Sequence, residues 1–293
     1  MPVQFHKMHG AGNDFVLLDY RESGDPPDSR LAAHLADRKL GVGCDQILVL
    51  ESSTDKNCAA GYRVFNADGS SAGQCGNGVR CIALYLMLRG EFGPSDYARE
   101  ETAGTSALLE GPSGLVTVRL CDDGEFECDM GEPNFEPSEI PLNMIYARPA
   151  PESQSGEILL EINGQEASVT TVSMGNPHAV SLVESTRSTP VEVNGPLISK
   201  HSAFPEGCNA GFAEIIDRDN IHLRVYERGA GETLACGSGA CAAVVALSRK
   251  KLVSPVVNVF LPGGHLVIKW NGPGHQVTMK GPAEHVFRGT LDE

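Results

Sequence analysis

Short apolar runs bounded by Gly, Pro, Asn or Asp recur along the chain. FVLLDY (15–20), QILVLE (46–51), YRVFN (62–66), LVTVRL (115–120), IHLRVYE (221–227), VVNVFL (256–261) and HLVIKW (265–270) are rich in Val, Ile, Phe and Tyr. This composition and punctuation predicts β-strands. Helical periodicity shows in three places. Residues 28–40 carry a plausible N-cap at Asp28 and a stop at Gly41; 79–89 place apolar residues at Val79, Ile82, Ala83 and Leu86 and stop at Gly90; 239–250 are Ala/Val-rich and end in basic residues, which suit a helix C-terminus. The longest unbroken apolar stretch runs from Ala240 to Leu247 and is far too short to span a bilayer.

A long-period repeat underlies these elements. AGQCGNGVRCIALYL (72–86) parallels TLACGSGACAAVVAL (233–247), each reading Cys-Gly-polar-Gly and then a short apolar helix with a second cysteine. Anchored on Cys75 and Cys236, the two copies share further polar landmarks upstream. Asn66 pairs with Glu227, Gln46 with Asn209, and Asn13 with Asn176, with offsets that differ by two residues at most. Four landmarks in one order predict two lobes of similar topology. Pro and Gly punctuate 131–155, which sets the expected division: 1–135 as the first lobe and residues from 136 onward as the second.

The charge narrows the partners. Lys and Arg number 23 against 38 Asp and Glu, a formal net charge of −15. Phosphate backbones and anionic membranes are recognised by clustered cations, so neither a nucleic acid nor a membrane is expected as partner. MPVQFHKMHG has no apolar stretch of signal-peptide length. Nine cysteines cannot all pair within one chain, and together these features predict a reduced, cytoplasmic protein.

Two of the nine cysteines stand out. Cys75 and Cys236 each precede a Gly-rich helix start, where free backbone N–H groups and the helix dipole favour a thiolate and can hold a carboxylate. Two such elements related by a repeat suggest two thiols working as acid and base on opposite faces of one carbon, as inversion by proton transfer requires. Cys44, Cys58, Cys81, Cys121, Cys128, Cys208 and Cys241 have no matched setting and read as packing. Asn13, Asn66, Asn77, Asn176 and Asn209 lie near Gly turns; such positions suit Asn conformationally, and five of them also fit a site that hydrogen-bonds a zwitterionic substrate. Glu227 and Arg228 could pair with an ammonium and a carboxylate, or with each other across a surface.

Other chemistries fit less well. The spacings Cys75-x5-Cys81, Cys121-x6-Cys128 and Cys236-x4-Cys241 lack the close pairs of a zinc site. GSGACA (237–242) matches a loose dinucleotide pattern, but no Asp or Glu occurs between Ala242 and Ala283 to meet a ribose. A Cys-His hydrolase, with His178 of MGNPH as base, would leave the second cysteine element unexplained. A lobed protein that only binds an amino acid is a further alternative.

MHGAGNDF (8–15), GCDQ (43–46), FNADGSSAGQCGNGVRC (65–81), MGNPH (174–178), CNAGF (208–212) and ERGAGETLACGSGAC (227–241) together resemble the diaminopimelate epimerase family, in order and over nearly the whole chain. The paired Cys-Gly elements alone would also suit the wider group of cofactor-independent amino-acid racemases. The resemblance implies interconversion of LL- and meso-2,6-diaminopimelate without cofactor or metal, in lysine and peptidoglycan precursor synthesis. It implies Cys75 and Cys236 as the catalytic pair, and Gly76-Asn77 and Gly237-Ser238 as the holders of the reacting carboxylate end. It further implies Asn13, Gln46, Asn66, Asn176, Asn209, Glu227 and Arg228 as the remaining substrate contacts, with His178 and Glu227 tuning the thiols. The fold it implies is α+β: two pseudo-symmetric lobes, each a curled, mostly antiparallel sheet wrapped around a central helix, with the active site in the cleft between them, and with 280–293 returning to the first lobe so that the second spans 136–279. Homodimers are usual in such a family. Against that pattern 90–165 is longer than a minimal member needs.

Overall fold

The computed structural model describes residues 3–22, 25–93, 105–150 and 156–291. The longer-than-minimal region 90–165 therefore falls partly outside the described residues. The chain divides into two compact units, Met1–Asp129 with Lys280–Glu293, and Met130–Met279. Among the described residues, no helix is long and apolar enough to cross a membrane.

The first unit opens with a hairpin, Val3–Gly10 against Asn13–Asp19, whose two-residue turn holds Ala11 and Gly12 at φ 53° and 86°. Positive φ at both positions matches the twist of the strands it joins. Helix α1 (Ser29–Ala36) then carries the chain over to Gln46–Glu51, which lies parallel to Asn13–Asp19. Ala60–Asn66 pairs antiparallel with Gln46–Glu51 and leads to helix α2 (Gly76–Leu88). Beyond it, Ser106–Gly111 lies parallel to Ala60–Asn66, and Gly114–Leu120 and Phe126–Asp129 extend the sheet antiparallel. Glu284–Leu291 closes on Val3–Gly10 from the other side.

Both faces of the central strands are covered, which explains why FVLLDY and QILVLE are nearly continuous apolar runs rather than alternating ones. Val16, Leu18, Ile47 and Val49 pack with Ala32, Leu35 and Ala36 of α1. Phe15 and Leu48 point the other way, toward α2: a Cβ on Gly78 would stand 2.8 Å from Leu48 Cδ2. The third residue of α2 is thus a glycine because a side chain there would run into the Leu48 side chain of the facing strand. Helix α2 contacts strands from both ends of the sheet, Glu284–Leu291 and Phe126–Asp129 among them, so the sheet curls around it.

The second unit repeats this plan. Gln165–Ser173 and Pro177–Leu182 form the hairpin, α3 (Val191–Ser199) follows, and Asn209–Asp217 lies parallel to Pro177–Leu182. Asn220–Glu227 returns antiparallel, α4 (Gly237–Arg249) follows, and Val256–Leu261 lies parallel to Asn220–Glu227 with Gly264–Lys269 antiparallel beyond. Glu157–Ile162 and Ala147–Pro149 extend the opposite side of the hairpin. Residues after Asp129 are tied into this unit by Met130 N–H to the Val277 carbonyl and by the Asn134–Ser173 bridge. The α+β class and the repeated topology expected from the landmarks are thus present in the fold.

All four α-helices among the described residues differ from the sequence expectation. Helix α1 ends at Ala36 rather than at residue 40, because the Asp37 carboxylate takes the N–H groups of Lys39 and Leu40 in a turn that competes with the helix. Helices α2 and α4 begin at Gly76 and Gly237, up to three residues earlier than periodicity marks, since their first turns carry glycine and polar residues in place of an apolar stripe. Helix α3 has no clear sequence signal: it contains Gly195 and Pro196, both poor in a helix interior, and is held by Val191 and Ile198 packing with Ala210 and Phe212.

Candidate active site

The candidate residues fall into two sets, one in each unit. In the first unit, Cys75 caps α2 at φ −121° and ψ 107°, at the end of the loop that follows Ala60–Asn66. Its Sγ lies 3.8 Å from Asn13 Oδ1, and the same oxygen accepts from Asn77 Nδ2 at 3.2 Å. Asn13 opens the second hairpin strand, so Asn13, Cys75 and Asn77 converge where the turn meets the start of α2. Gln46 and Asn66 face each other in register across their strands and are joined by Gln46 Nε2 to Asn66 Oδ1 at 3.1 Å. Gly76 is the first residue of α2 and buried, and the N–H groups of that first turn have no helical partner.

In the second unit Cys236 caps α4 at φ −120° and ψ 108°, the same geometry within a degree. Its Sγ accepts the Gly239 N–H at 3.4 Å and lies 3.7 Å from Ser238 Oγ. Asn176 Nδ2 donates to Ser238 Oγ at 3.4 Å, while Asn176 Oδ1 meets His178 Nε2 at 2.9 Å. Gly237 opens the helix, and Asn209 Oδ1 accepts the backbone N–H of Arg228 at 2.9 Å. The Glu227 side chain bonds to Thr233 Oγ1 at 2.5 Å and also reaches the Cys236 thiol. Cys236, Ser238, Asn176, His178 and Glu227 therefore form one contiguous polar cluster, with Asn209 and Arg228 joined beside it. Arg228 also lines a cavity of about 540 Å³ with Lys200, Phe204 and Tyr226.

Electrostatics in this cluster run against the thiolate expected from a helix start. Burial and the Glu227 carboxylate push the Cys236 thiol well above its ordinary value, and the bonds from Ser238 and Gly239 only partly offset them. Cys236 is thus a thiol in the resting protein. Iodoacetamide labelling of this residue, followed by peptide mass spectrometry, is expected at about pH 8 to be far slower than that of a free cysteine thiol, whose pKa is about 8.5. His178 is buried and beside Arg228, which brings its pKa down to about 3 and leaves the imidazole neutral. Burial likewise pushes Cys44 and Cys128 up to about 12 and raises Cys81 and Cys208, in keeping with their reading as packing.

Several polar residues around these sets, some of them inside the motifs, show their part only in the structure. Asp45 accepts from Asn13 Nδ2 at 3.0 Å and from the Asp14 N–H at 3.1 Å. Arg38 clamps Asp14 and Asp45 together, at 2.7 and 2.8 Å, and with Lys7 it holds the Asp14 carboxyl down at about 2. Arg80 is wholly buried and donates to Asn77 Oδ1 at 2.9 Å and to the Pro282 carbonyl at 3.2 Å. The available hints were position: Asp14 and Asp45 adjoin the landmarks Asn13 and Gln46, and Arg80 interrupts an otherwise apolar helix face.

Comparison with known proteins places these residues in a family. The diaminopimelate epimerase sequence pattern matches residues 5–136 and 170–286. The chain belongs to the diaminopimelate epimerase family. The Xanthomonas campestris pv. campestris diaminopimelate epimerase is 48% identical over 293 residues, covering 99% of this chain and 97% of that one. That of Alkalilimnicola ehrlichii is 48% identical over 292 residues, covering 99% of each. Among solved structures, a hydroxyproline epimerase from Agrobacterium vitis superposes with a TM-score of 0.72 at 15% identity, covering 99% of this chain and 92% of that one. A probable proline racemase from Agrobacterium radiobacter gives 0.69 at 14%, covering 99% and 93%. At these identities the likeness is one of fold. The match spans both cysteine-capped helices, so the family pattern and the two polar sets coincide in sequence.

Proposed function

We propose that the protein is a diaminopimelate epimerase, interconverting LL- and meso-2,6-diaminopimelate with Cys75 and Cys236 as its two acid–base groups. The observation that carries this reading is the pair of helices capped by cysteines of matching backbone geometry, in a chain nearly half identical to enzymes of that name. One thiolate removes the α-proton; the other cysteine, as thiol, returns a proton to the opposite face, and the roles exchange in the reverse direction. The free N–H groups at Gly76-Asn77 and Gly237-Ser238 hold the carboxylate next to the reacting carbon, where they stabilise the charge that grows as the proton leaves. Asn13, Gln46, Asn66, Asn176, Asn209, Glu227 and Arg228 bind the remaining polar groups of the substrate.

Glu227 acts on Cys236 directly, and His178 acts through Asn176 and Ser238. The neutral imidazole orients Asn176, which donates to Ser238, and the Glu227 carboxylate favours the thiol over the thiolate. Cys236 is accordingly the proton donor in the resting protein. The reaction needs no pyridoxal phosphate and no metal, and its product feeds lysine and peptidoglycan precursors. The protein works in the cytoplasm as a homodimer, with no nucleic-acid or membrane partner. Val286 and Phe287, 54% and 47% exposed on Glu284–Leu291, support an apolar contact between copies.

The test is LL-diaminopimelate in deuterated water with reduced protein and no added cofactor. Appearance of the meso isomer carrying deuterium at one α-carbon is expected. Failure to exchange or invert diaminopimelate, while another amino acid in a substrate panel is inverted, would overturn the substrate assignment and keep the mechanism.

A further inference from the structure

The hydrogen bonds that meet at Cys75 form a directed chain with opposite charges at its ends. Arg80 can only donate, so it faces the oxygen of the Asn77 amide and turns that nitrogen toward Asn13. Asp45, as a carboxylate, can only accept, so it faces the nitrogen of the Asn13 amide and turns that oxygen toward Asn77 and Cys75. Neither amide could reverse without setting nitrogen against nitrogen or oxygen against oxygen. Asp45 is itself braced by Arg38 and by the Asp14 N–H, and Arg80 is braced by the Pro282 carbonyl. We infer that Arg80 and Asp45 are positioning residues that fix the two amides and so aim Asn13 Oδ1 at the Cys75 sulfur.

An acceptor held against the sulfur pairs with the thiol and not with the thiolate. The brace therefore restrains Cys75 until the substrate's arrival alters its surroundings. Among the described residues, titratable groups that interact with Cys75 include Tyr62 on Ala60–Asn66, Cys81 on α2 and Cys128 on Phe126–Asp129; Arg38 and Asp14 bond to Asp45, and Lys7 bonds to Asp14. The inference rests on the role proposed for Cys75, but its test needs no substrate, so the two can fail separately.

The test compares Asp45→Asn with Asp45→Ala. Both remove the same charge, so their shared change reads the charge and their difference reads the hydrogen bond to Asn13. Iodoacetamide labelling of Cys75 at about pH 8, followed by peptide mass spectrometry, is expected to be about fivefold faster in Asp45→Ala than in Asp45→Asn. Equal rates in two folded variants overturn the inference. Asp45 is 40% exposed at its side chain, so both variants are expected to fold. Should either not, Arg80→Lys against Arg80→Met poses the same question from the other end of the chain. An atomic-resolution structure of the unaltered protein with the Asn13 nitrogen toward Cys75 would overturn it without any variant.

Discussion

Replacing either Cys75 or Cys236 by alanine is expected to lower kcat for epimerisation by at least about a thousandfold, since a positioned acid or base contributes about 10²–10⁴ and inversion needs both in one turnover. KM should move far less, because the amides, the guanidinium and the helix N–H groups proposed to bind the substrate remain. The double variant should be little worse than either single one, as residues that act as a unit do not add. Folding is a lesser concern. An alanine at a helix N-cap costs about 1 kcal/mol, and the Cys236 sulfur makes only one long bond to a helix N–H, at 3.4 Å. Initial rates from both isomers, with melting temperatures as control, check this. A single variant that keeps more than about a tenth of kcat would end the two-thiol mechanism, whatever the substrate.

The two cysteine-capped helices were readable from the sequence because backbone chemistry forces their signature. A helix start pressed against a strand favours glycine at its third position: a Cβ on Gly78 would stand 2.8 Å from Leu48 Cδ2 and one on Gly239 3.0 Å from Val225 Cγ2. The upstream landmarks were readable for a related reason. Asn13, Gln46, Asn66, Asn209 and Glu227 sit at strand ends and Asn176 in the turn just before one, where side chains leave the core and polar residues interrupt an apolar run. What stayed hidden depends on contacts between residues far apart in the chain. Asp45 and Asn13 are 32 positions apart, and neither residue alone indicates that the carboxylate sets the direction of the amide. The state of Cys236 was hidden in the same way: a helix start favours the thiolate, but full burial beside Glu227 outweighs it, and burial is a property of the fold. Helix α3 escaped because its stability comes from packing against the strand that holds Phe212 rather than from its own residues.

The second large effect expected is on stability in acid, and it comes from His178. This imidazole lies on Pro177–Leu182, paired with Val172 on one side and Asn209 on the other, and burial with Arg228 nearby keeps it neutral down to about pH 3. An unfolded chain takes up that proton near pH 6.5. Between these values the unfolded state binds a proton that the folded state refuses, so stability present above pH 6.5 is lost progressively as pH falls toward 3. A difference of about 3.5 units at 1.36 kcal/mol each gives a loss of about 5 kcal/mol over the whole window, of which about 3 kcal/mol falls between pH 6.5 and 4. Asp14, held at about 2, belongs to the other unit and adds its own loss only below the ordinary carboxylate range. Trp270 is the single tryptophan, is 2% exposed, and lies in the same unit as His178, so its fluorescence reports unfolding where the histidine sits. Urea titrations followed by this signal at about pH 6.5, 5 and 4 should show the unaltered protein losing about 3 kcal/mol more than His178→Gln, which cannot take up a proton but can still meet the Asn176 oxygen. Parallel stability curves for the two proteins would mean that the imidazole accepts its proton in the folded state, and the neutral role given to it beside Cys236 would fall with that result.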